Sequence, residues 1–134
     1  MNVNTGYKKV VFIDDDKELV QVYNSMLAKK NLDDYFIYFD NARDGINYLK
    51  NSEPDAFPDY ILLDLYMPEM NGFDFLQFID HVRPLKDAVE IYVCTSSRRK
   101  DDRNRVMKYP FVSAYLEKPL SSDFLELLIR DHSC

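Results

Sequence analysis

Residues 60–72 read YILLDLYMPEMNG, and this stretch decides the fold that the rest of the chain is expected to adopt. It opens with a short apolar run of the kind that forms a strand buried on both faces of a parallel sheet. Pro68 and Gly72 follow the run and favour a turn. We therefore predict a central strand over residues 60–65, with the Asp64 carboxylate near its carboxyl end.

Further strands and helices are predicted to alternate on both sides of this strand. Short apolar runs indicate strands at residues 9–13, 35–39, 90–95 and 113–116. Apolar spacing, prolines and capping serines indicate helices at 17–30, 42–49, 73–82, 101–108 and 123–130. Five strands that alternate with five helices indicate an α/β fold with a doubly wound parallel sheet. Right-handed crossovers then place helices on both faces of the sheet.

The composition is that of an ordinary globular domain, with 46% hydrophobic and 30% charged residues among 134. We expect one domain with a core from about residue 8 to about residue 130 and no output domain. The net charge of −6 argues against a nucleic-acid-binding module, because phosphate backbones require a basic surface.

The sequence gives no sign of secretion or of membrane insertion. Residues 1–7 lack the apolar segment of a signal peptide, and no apolar run approaches the roughly 18 residues that span a bilayer. The two cysteines, Cys94 and Cys134, do not form a disulfide framework, and Cys94 is expected to be a small buried residue. We therefore expect a soluble cytoplasmic protein.

Reactive side chains follow the predicted strands at their carboxyl ends. They are Asp14, Asp15 and Asp16 after the first strand, Asp64 in the third, Thr95 in the fourth and Lys118 after the fifth. In doubly wound sheets, ligands bind beyond the carboxyl ends of the strands. We therefore expect these carboxylates, the hydroxyl and the ammonium to converge at one edge of the sheet.

Asp14, Asp15 and Asp64 would repel one another at this edge unless a cation lay among them. Oxygen ligands without histidine or cysteine suit Mg²⁺ or Mn²⁺. Acidic residues are also favoured at helix N-termini, and this is the simpler explanation for Asp16. Because a buried, unpaired carboxylate is costly, Asp64 either caps the following turn or acts as a nucleophile that forms an acyl phosphate.

Thr95 and Lys118 offer what a bound phosphoryl group requires. The hydroxyl can donate a hydrogen bond to a phosphoryl oxygen, and the ammonium supplies a compact countercharge. Pro119 keeps the backbone of Lys118 out of the helical region, which limits where its side chain points. Taken singly, each residue also has an ordinary explanation: Thr95 is a good strand former, and Lys118 would be a solvated charge.

Four motifs resemble the receiver domains of bacterial response regulators, including the chemotaxis regulator, and they occur in the same order. They are VVFIDDD (10–16), ILLDLYMPEMNGFDFL (61–76), VCTSS (93–97) and YLEKPL (115–120). The resemblance covers about residues 8–130 and implies a flavodoxin-like sheet with the strand order 2-1-3-4-5. It also implies a stand-alone phosphorylation switch of a two-component or phosphorelay system.

The resemblance assigns roles to the acidic residues. Asp64 would be the phosphoacceptor and Asp15 a direct ligand of the metal. Asp14 would be the second acidic residue, which often holds the metal through water. The backbone carbonyl of Tyr66 would supply a further metal ligand.

Three further residues match the switch of that family. Thr95 matches the hydroxyl that moves toward the phosphoryl group, and Lys118 matches the lysine that binds it. Tyr115 matches the aromatic residue that swings inward, although an aromatic side chain packed on the fifth strand is the alternative. Tyr66 is bulkier than its counterpart in many relatives, and its phenol would either impede the attacking water or hydrogen-bond it.

By the same resemblance, the phosphoryl donor is a sensor histidine kinase or a histidine phosphotransfer protein. Phosphorylation would change the surface around residues 101–108, 113–116 and 123–130 for a downstream protein partner or onward phosphotransfer. The chain would be a signalling domain that catalyses only its own phosphotransfer and dephosphorylation, as a monomer or weak homodimer without direct contact to nucleic acid or membrane. The charged run 98–105 is either a solvated face or a docking surface for the partner.

Three other classes of protein share parts of this pattern. Haloacid-dehalogenase-like phosphatases share a second aspartate two residues after the nucleophile. This chain has Tyr66 at that position. A flavodoxin-like FMN carrier needs Ser, Thr and Gly donors after the first strand, where this chain has three aspartates. A receiver-like interaction module that is never phosphorylated is the main alternative, and failure to bind Mg²⁺ would favour it.

Overall fold

The computed structural model describes residues 6–97 and 99–130. Five parallel strands form one sheet in the order β2-β1-β3-β4-β5. They are β1 (Val10–Ile13), β2 (Phe36–Phe39), β3 (Tyr60–Leu63), β4 (Glu90–Thr95) and β5 (Val112–Glu117). The predicted α/β fold is confirmed, and so is the strand order that the resemblance implies.

Helices connect the strands and pack on both faces of the sheet. They are α1 (Lys17–Ala28), α2 (Ala42–Lys50), α3 (Gly72–Asp80), α4 (Arg83–Ala88), α5 (Lys100–Val106) and α6 (Ser122–Ile129). The prediction of five helices is wrong by one, because α4 forms where only an end to α3 is predicted. Pro84 lies in the first turn of α4, where its missing N–H costs no intrahelical hydrogen bond. No helix within the described residues is long and apolar enough to cross a membrane.

Polar side chains cap the helices that follow the strand ends. Asp16 caps α1 as expected, since its Oδ1 accepts a hydrogen bond of 3.1 Å from the backbone N–H three residues on. Ser121 caps α6 in the same way at 3.1 Å. Asn71 and Asp74 form a reciprocal capping box at the start of α3, which fixes the loop that leads from β3 into this helix.

The central strands β1 and β3 are buried at every position. Their side chains alternate between two apolar cores, one beneath α2 to α5 and the other beneath α1 and α6. Phe12 of β1 is fully buried and stacks on Tyr23 of α1, with ring centroids 5.6 Å apart. Cys94 is buried in the same core, as expected, whereas Cys134 lies outside the described residues. The sheet is therefore a closely packed platform.

The register of the strands sets the position of the residues that follow them. Ile13 of β1 and Leu63 of β3 are partners, and Leu63 is also the partner of Val93 in β4. Asp14 directly follows Ile13, and Asp64 directly follows Leu63. The backbone N–H of Asp64 donates to the carbonyl of Ile13 at 3.0 Å. The two carboxylates therefore leave neighbouring strands side by side.

Candidate functional site

Lys118 lies among the ends of four strands. Its Nζ is 2.5 Å from Asp14 Oδ2 and 3.5 Å from Asp64 Oδ2. Its backbone N–H donates to the carbonyl of Thr95 at 3.1 Å, which ties the residue after β5 to the end of β4. The Lys118–Pro119 peptide bond is cis. The structure thus brings together the carboxylates, the lysine and the threonine that the sequence predicts to converge.

The two carboxylates that contact this lysine are withdrawn from water. Asp14 is fully buried and Asp64 is 5% exposed. Burial raises the pKa of Asp64 to about 6, and the charge of Lys118 opposes this rise only in part. Burial also raises the pKa of Asp14, against its contact with Lys118. Burial alone would lower the pKa of Lys118, but the two carboxylates outweigh it, so that this pKa is raised and the lysine stays protonated.

The acidic residues form a set of oxygen donors that fits a divalent cation. Asp14, Asp15 and Asp64 each offer a carboxylate oxygen, and these oxygens lie within 4.8 Å of one another. Asp14 Oδ2 is buried, and the Lys118 ammonium is its one partner among the described residues. This oxygen therefore keeps a lone pair for an ion. Donors of oxygen only, one of them on the exposed Asp15, suit a hard ion such as Mg²⁺.

Hydrogen bonds from two other residues hold Asp14 in place. The backbone N–H of Asp16 donates to Asp14 Oδ1 at 2.8 Å. The hydroxyl of Tyr38, on β2, donates to the backbone carbonyl of Asp14 at 2.7 Å. Burial raises the pKa of Tyr38 to about 12, so the phenol remains a donor at neutral pH. Sequence reasoning misses Tyr38, because its partner is a backbone atom of another strand.

Thr95 and Tyr115 meet at one residue, Ser97. Thr95 is 1% exposed, and its Oγ1 accepts a hydrogen bond of 3.2 Å from the backbone N–H of Ser97. The hydroxyl of Tyr115, on β5, donates to the backbone carbonyl of Ser97 at 3.1 Å. The two residues predicted to form a switch therefore share a neighbour in the loop that follows β4.

Tyr66 reaches from the site to α5. Its backbone N–H donates to the carboxylate of Asp64. Its hydroxyl donates to Asp102 Oδ2 at 2.5 Å, and its ring lies edge-on to Phe73. Ser97 Oγ donates to the same oxygen of Asp102 at 2.8 Å. One carboxylate on α5 thus joins the loops that follow β3 and β4.

The charged run 98–105 is not simply a solvated face. Asp102 is 6% exposed, and hydrogen bonds from Tyr66 and Ser97 lower its pKa. The Arg105 guanidinium stacks on the ring of Phe73 at 3.9 Å from its centroid. Arg98 lies outside the described residues. Helical spacing could have predicted that Asp102 is buried. It precedes the buried Val106 by four residues, so both lie on the same face of α5.

Gly72 places the loop after β3 against the site. A Cβ at this position would lie 2.5 Å from the backbone oxygen of Asp64 and 2.8 Å from the Cα of Leu65. Both are backbone atoms, which cannot move aside cheaply. Gly72→Ala is therefore expected to lower the free energy of unfolding by about 1–3 kcal/mol, as measured by urea denaturation.

Gly45→Ala is the matched control for this substitution. Its Cβ would meet the far end of the flexible Ile13 side chain at 2.6 Å, and this end can rotate. We expect a loss at Gly45 of less than half the loss at Gly72. Equal losses at the two positions would contradict the account of Gly72.

Comparison with known proteins places the chain among signalling domains. The family model described as the response regulator receiver domain matches residues 10–130. The transcriptional regulatory protein CitT of Halalkalibacterium halodurans is 31% identical over 124 residues, which cover 90% of this chain and 50% of that protein. The sensor histidine kinase CheAY of Helicobacter pylori is 33% identical over 90 residues, which cover 67% of this chain and 11% of that protein. The chain thus spans half or less of the length of these relatives.

Solved structures have the same fold. The crystal structure of a response regulator receiver protein from Dyadobacter fermentans superposes with a TM-score of 0.73 and 27% sequence identity. The alignment covers 90% of this chain and 94% of that one. The likeness therefore extends over nearly the whole of both chains.

Proposed function

The chain belongs to the response regulator receiver family, and from this premise we propose that it is a phosphorylation switch whose phosphoacceptor is Asp64. Receiver domains are signalling domains of two-component systems and not classic enzymes, and switching by phosphorylation is general to them. We assign this chain one receiver domain, over about residues 8–130, which acts in the cytoplasm.

One observation carries the proposal most directly. The Asp64 carboxylate, 5% exposed at the end of a buried strand, lies 3.5 Å from the Lys118 ammonium and beside two further carboxylates. A carboxylate that only caps a turn needs neither neighbour. A nucleophile that receives a phosphoryl group needs a countercharge for the phosphoryl oxygens, which the lysine supplies.

The proposed reaction is a phosphoryl transfer from a phosphohistidine. A carboxylate oxygen of Asp64 forms a bond to phosphorus, and the bond between phosphorus and the histidine nitrogen breaks with its electron pair passing to the imidazole. Lys118, already in contact with Asp64, takes up charge on the phosphoryl oxygens. Mg²⁺ or Mn²⁺, held by Asp14, Asp15, Asp64 and the backbone carbonyl of Tyr66, would neutralise further charge there.

The donor in this proposal is a sensor histidine kinase or a histidine phosphotransfer protein. A histidine kinase among the relatives contains a segment similar to this chain, which supports that class of donor. The surface formed by α5, β5 and α6 would bind a downstream protein partner or serve onward phosphotransfer. In this proposal the chain contacts neither nucleic acid nor membrane directly. It would act as a monomer or weak homodimer.

Thr95 is proposed to report the phosphoryl group to this surface through Ser97 and Tyr115. Thr95→Ala is expected to leave the extent of phosphorylation within about twofold of wild type, because the residue supplies no countercharge. Movement of Tyr115 on phosphorylation should be lost, as measured by its NMR resonances. Thr95→Ser keeps the hydroxyl and should respond like wild type. A normal Tyr115 response in Thr95→Ala would contradict the assignment.

The experiment that tests the proposed function is intact-protein mass spectrometry after incubation with acetyl phosphate. We expect one phosphoryl group to be added in the presence of Mg²⁺ and none in EDTA. Borohydride reduction and peptide mapping should then locate the modification at Asp64. No mass increase in wild type, together with no detectable Mg²⁺ binding, would favour an interaction module that works without phosphorylation.

A further inference from the structure

Asp102 is a buried charge beside the site to which the proposed reaction gives no role. The Tyr66 hydroxyl and Ser97 Oγ both donate to its Oδ2, at 2.5 and 2.8 Å. A buried carboxylate is costly unless it is hydrogen-bonded, so these two donors account for its position at the sheet edge. We call the three linked side chains of Tyr66, Asp102 and Ser97 the phenol bridge.

The phenol bridge spans the gap between the ends of β3 and β4. Tyr66 comes two residues after Asp64, and Ser97 comes two residues after Thr95. Asp102, in the first turn of α5, joins them. Because Asp64 and Thr95 end adjacent strands, a phosphoryl group on Asp64 that faces Thr95 lies beside the bridge.

The hydrogen bond to Asp102 determines where the phenol lies. The Tyr66 side chain is 47% exposed, and its one described ring contact is the edge-on packing with Phe73 at 6.2 Å. Two hydroxyls meet at Asp102 Oδ2, that of Tyr66 at 2.5 Å and that of Ser97 at 2.8 Å, so the phenol is held against α5. Without this acceptor, the exposed ring would move freely about its χ angles.

We propose that Asp102 is a positioning residue that holds the Tyr66 phenol beside Asp64 and thereby slows hydrolysis of the aspartyl phosphate. The inference rests on the proposed function, because it concerns the lifetime of the group that Asp64 accepts. In hydrolysis, a water oxygen bonds to phosphorus, and the bond from phosphorus to Asp64 breaks with its electron pair returning to the carboxylate. One proton of the water stays on the phosphate, and the other passes to solvent. The phenol bridge hinders the approach of water to the phosphorus atom from one side.

The test compares lifetimes of the phosphorylated state in variants of the bridge. Each protein is labelled with acetyl phosphate and Mg²⁺ and desalted, and loss of the phosphoryl group is followed by intact mass. Tyr66→Phe and Asp102→Ala should each shorten the lifetime by about 3- to 10-fold, the equivalent of one hydrogen bond. The double variant should decay no faster than the faster single variant, because both substitutions break the same contact.

Two further variants separate positioning from general damage. Asp102→Asn keeps an acceptor oxygen, and its lifetime should lie closer to wild type than that of Asp102→Ala. Asp101→Ala alters an exposed carboxylate on the same helix and should leave the lifetime unchanged.

The outcomes distinguish this inference from the function on which it rests. If wild type accepts a phosphoryl group and the Tyr66 and Asp102 variants decay at the wild-type rate, only the role of Asp102 is overturned. Multiplicative effects in the double variant would also overturn it, since the residues would then act independently. If wild type accepts no phosphoryl group, the proposed function itself fails and this inference fails with it.

Discussion

Asp64→Asn is expected to abolish labelling by acetyl phosphate and, at the same time, to stabilise the metal-free protein. An amide oxygen does not attack phosphorus as a carboxylate does, so the mass increase should fall below detection. The gain in stability has a separate cause. The Asp64 carboxylate is buried beside Asp14, and its ionisation in the folded state is unfavourable. The same charge that serves the chemistry therefore weakens the fold.

The pH dependence of this gain follows from the pKa of Asp64. The folded-state pKa of about 6 lies above the ordinary value of 3.8. A raised pKa means that the carboxyl group favours folding below its unfolded pKa and that this contribution is lost as the pH rises through about 6. Asparagine does not ionise, so its advantage over aspartate should grow from about pH 4 upward and reach about 1–3 kcal/mol at pH 8.

Urea denaturation in EDTA at pH 4 and pH 8 measures this difference. Wild type and Asp64→Asn should unfold at similar urea concentrations at pH 4, and the variant should be the more stable at pH 8. Asp55→Asn changes an exposed carboxylate far from the cluster and should show no such dependence on pH. A variant that gains nothing between the two pH values would contradict the raised pKa of Asp64.

Lys118→Met should lower both stability and reactivity, in contrast to Asp64→Asn. Methionine fills similar space but leaves Asp14 and Asp64 buried without their countercharge. Loss of one partner from such a buried group costs about 3–5 kcal/mol. Loss of the ammonium from the phosphoryl oxygens should slow labelling by acetyl phosphate by about 10²- to 10³-fold.

The two effects of Lys118→Met can be separated by a second substitution. Lys118→Met with Asp14→Asn removes one of the two carboxylates that lose their countercharge, so part of the stability in EDTA should return while labelling stays slow. Lys108→Met removes an exposed ammonium and should change neither quantity. Unfolding of Lys118→Met at the wild-type urea concentration would show that this lysine does not balance the buried carboxylates.

The sequence predicts those residues of the site whose positions follow from the sheet alone. Asp14, Asp64, Thr95 and Lys118 meet because parallel strands end at one edge, and a strand end is visible in an apolar run. Their roles come from the resemblance and remain predictions. The short helix α4 is not predicted, since Pro84 both follows the end of α3 and lies in a new first turn. Strand order likewise follows from the resemblance and not from periodicity.

The contacts of Asp102 and Ser97 are beyond the reach of sequence patterns. Helical spacing places Asp102 on the buried face of α5, but it does not name the partner. Its hydrogen bonds depend on the rotamer of Tyr66 and on the path of the loop after β4. These are tertiary details that arise only once the strands are packed. Tyr38 is a similar case, because its hydroxyl binds a backbone carbonyl.

The complete burial of β1 and β3 has a consequence for the order in which the molecule opens. Each of these strands has a neighbour on both sides and a helical layer on both faces, so their amide protons are expected to exchange with solvent only through global unfolding. The loops that carry Ser97 and Tyr66 lie beyond the strand ends and can open locally at a much smaller free energy. Hydrogen exchange in these two loops can therefore change with signalling state, while the slowest-exchanging amides of the sheet keep their protection.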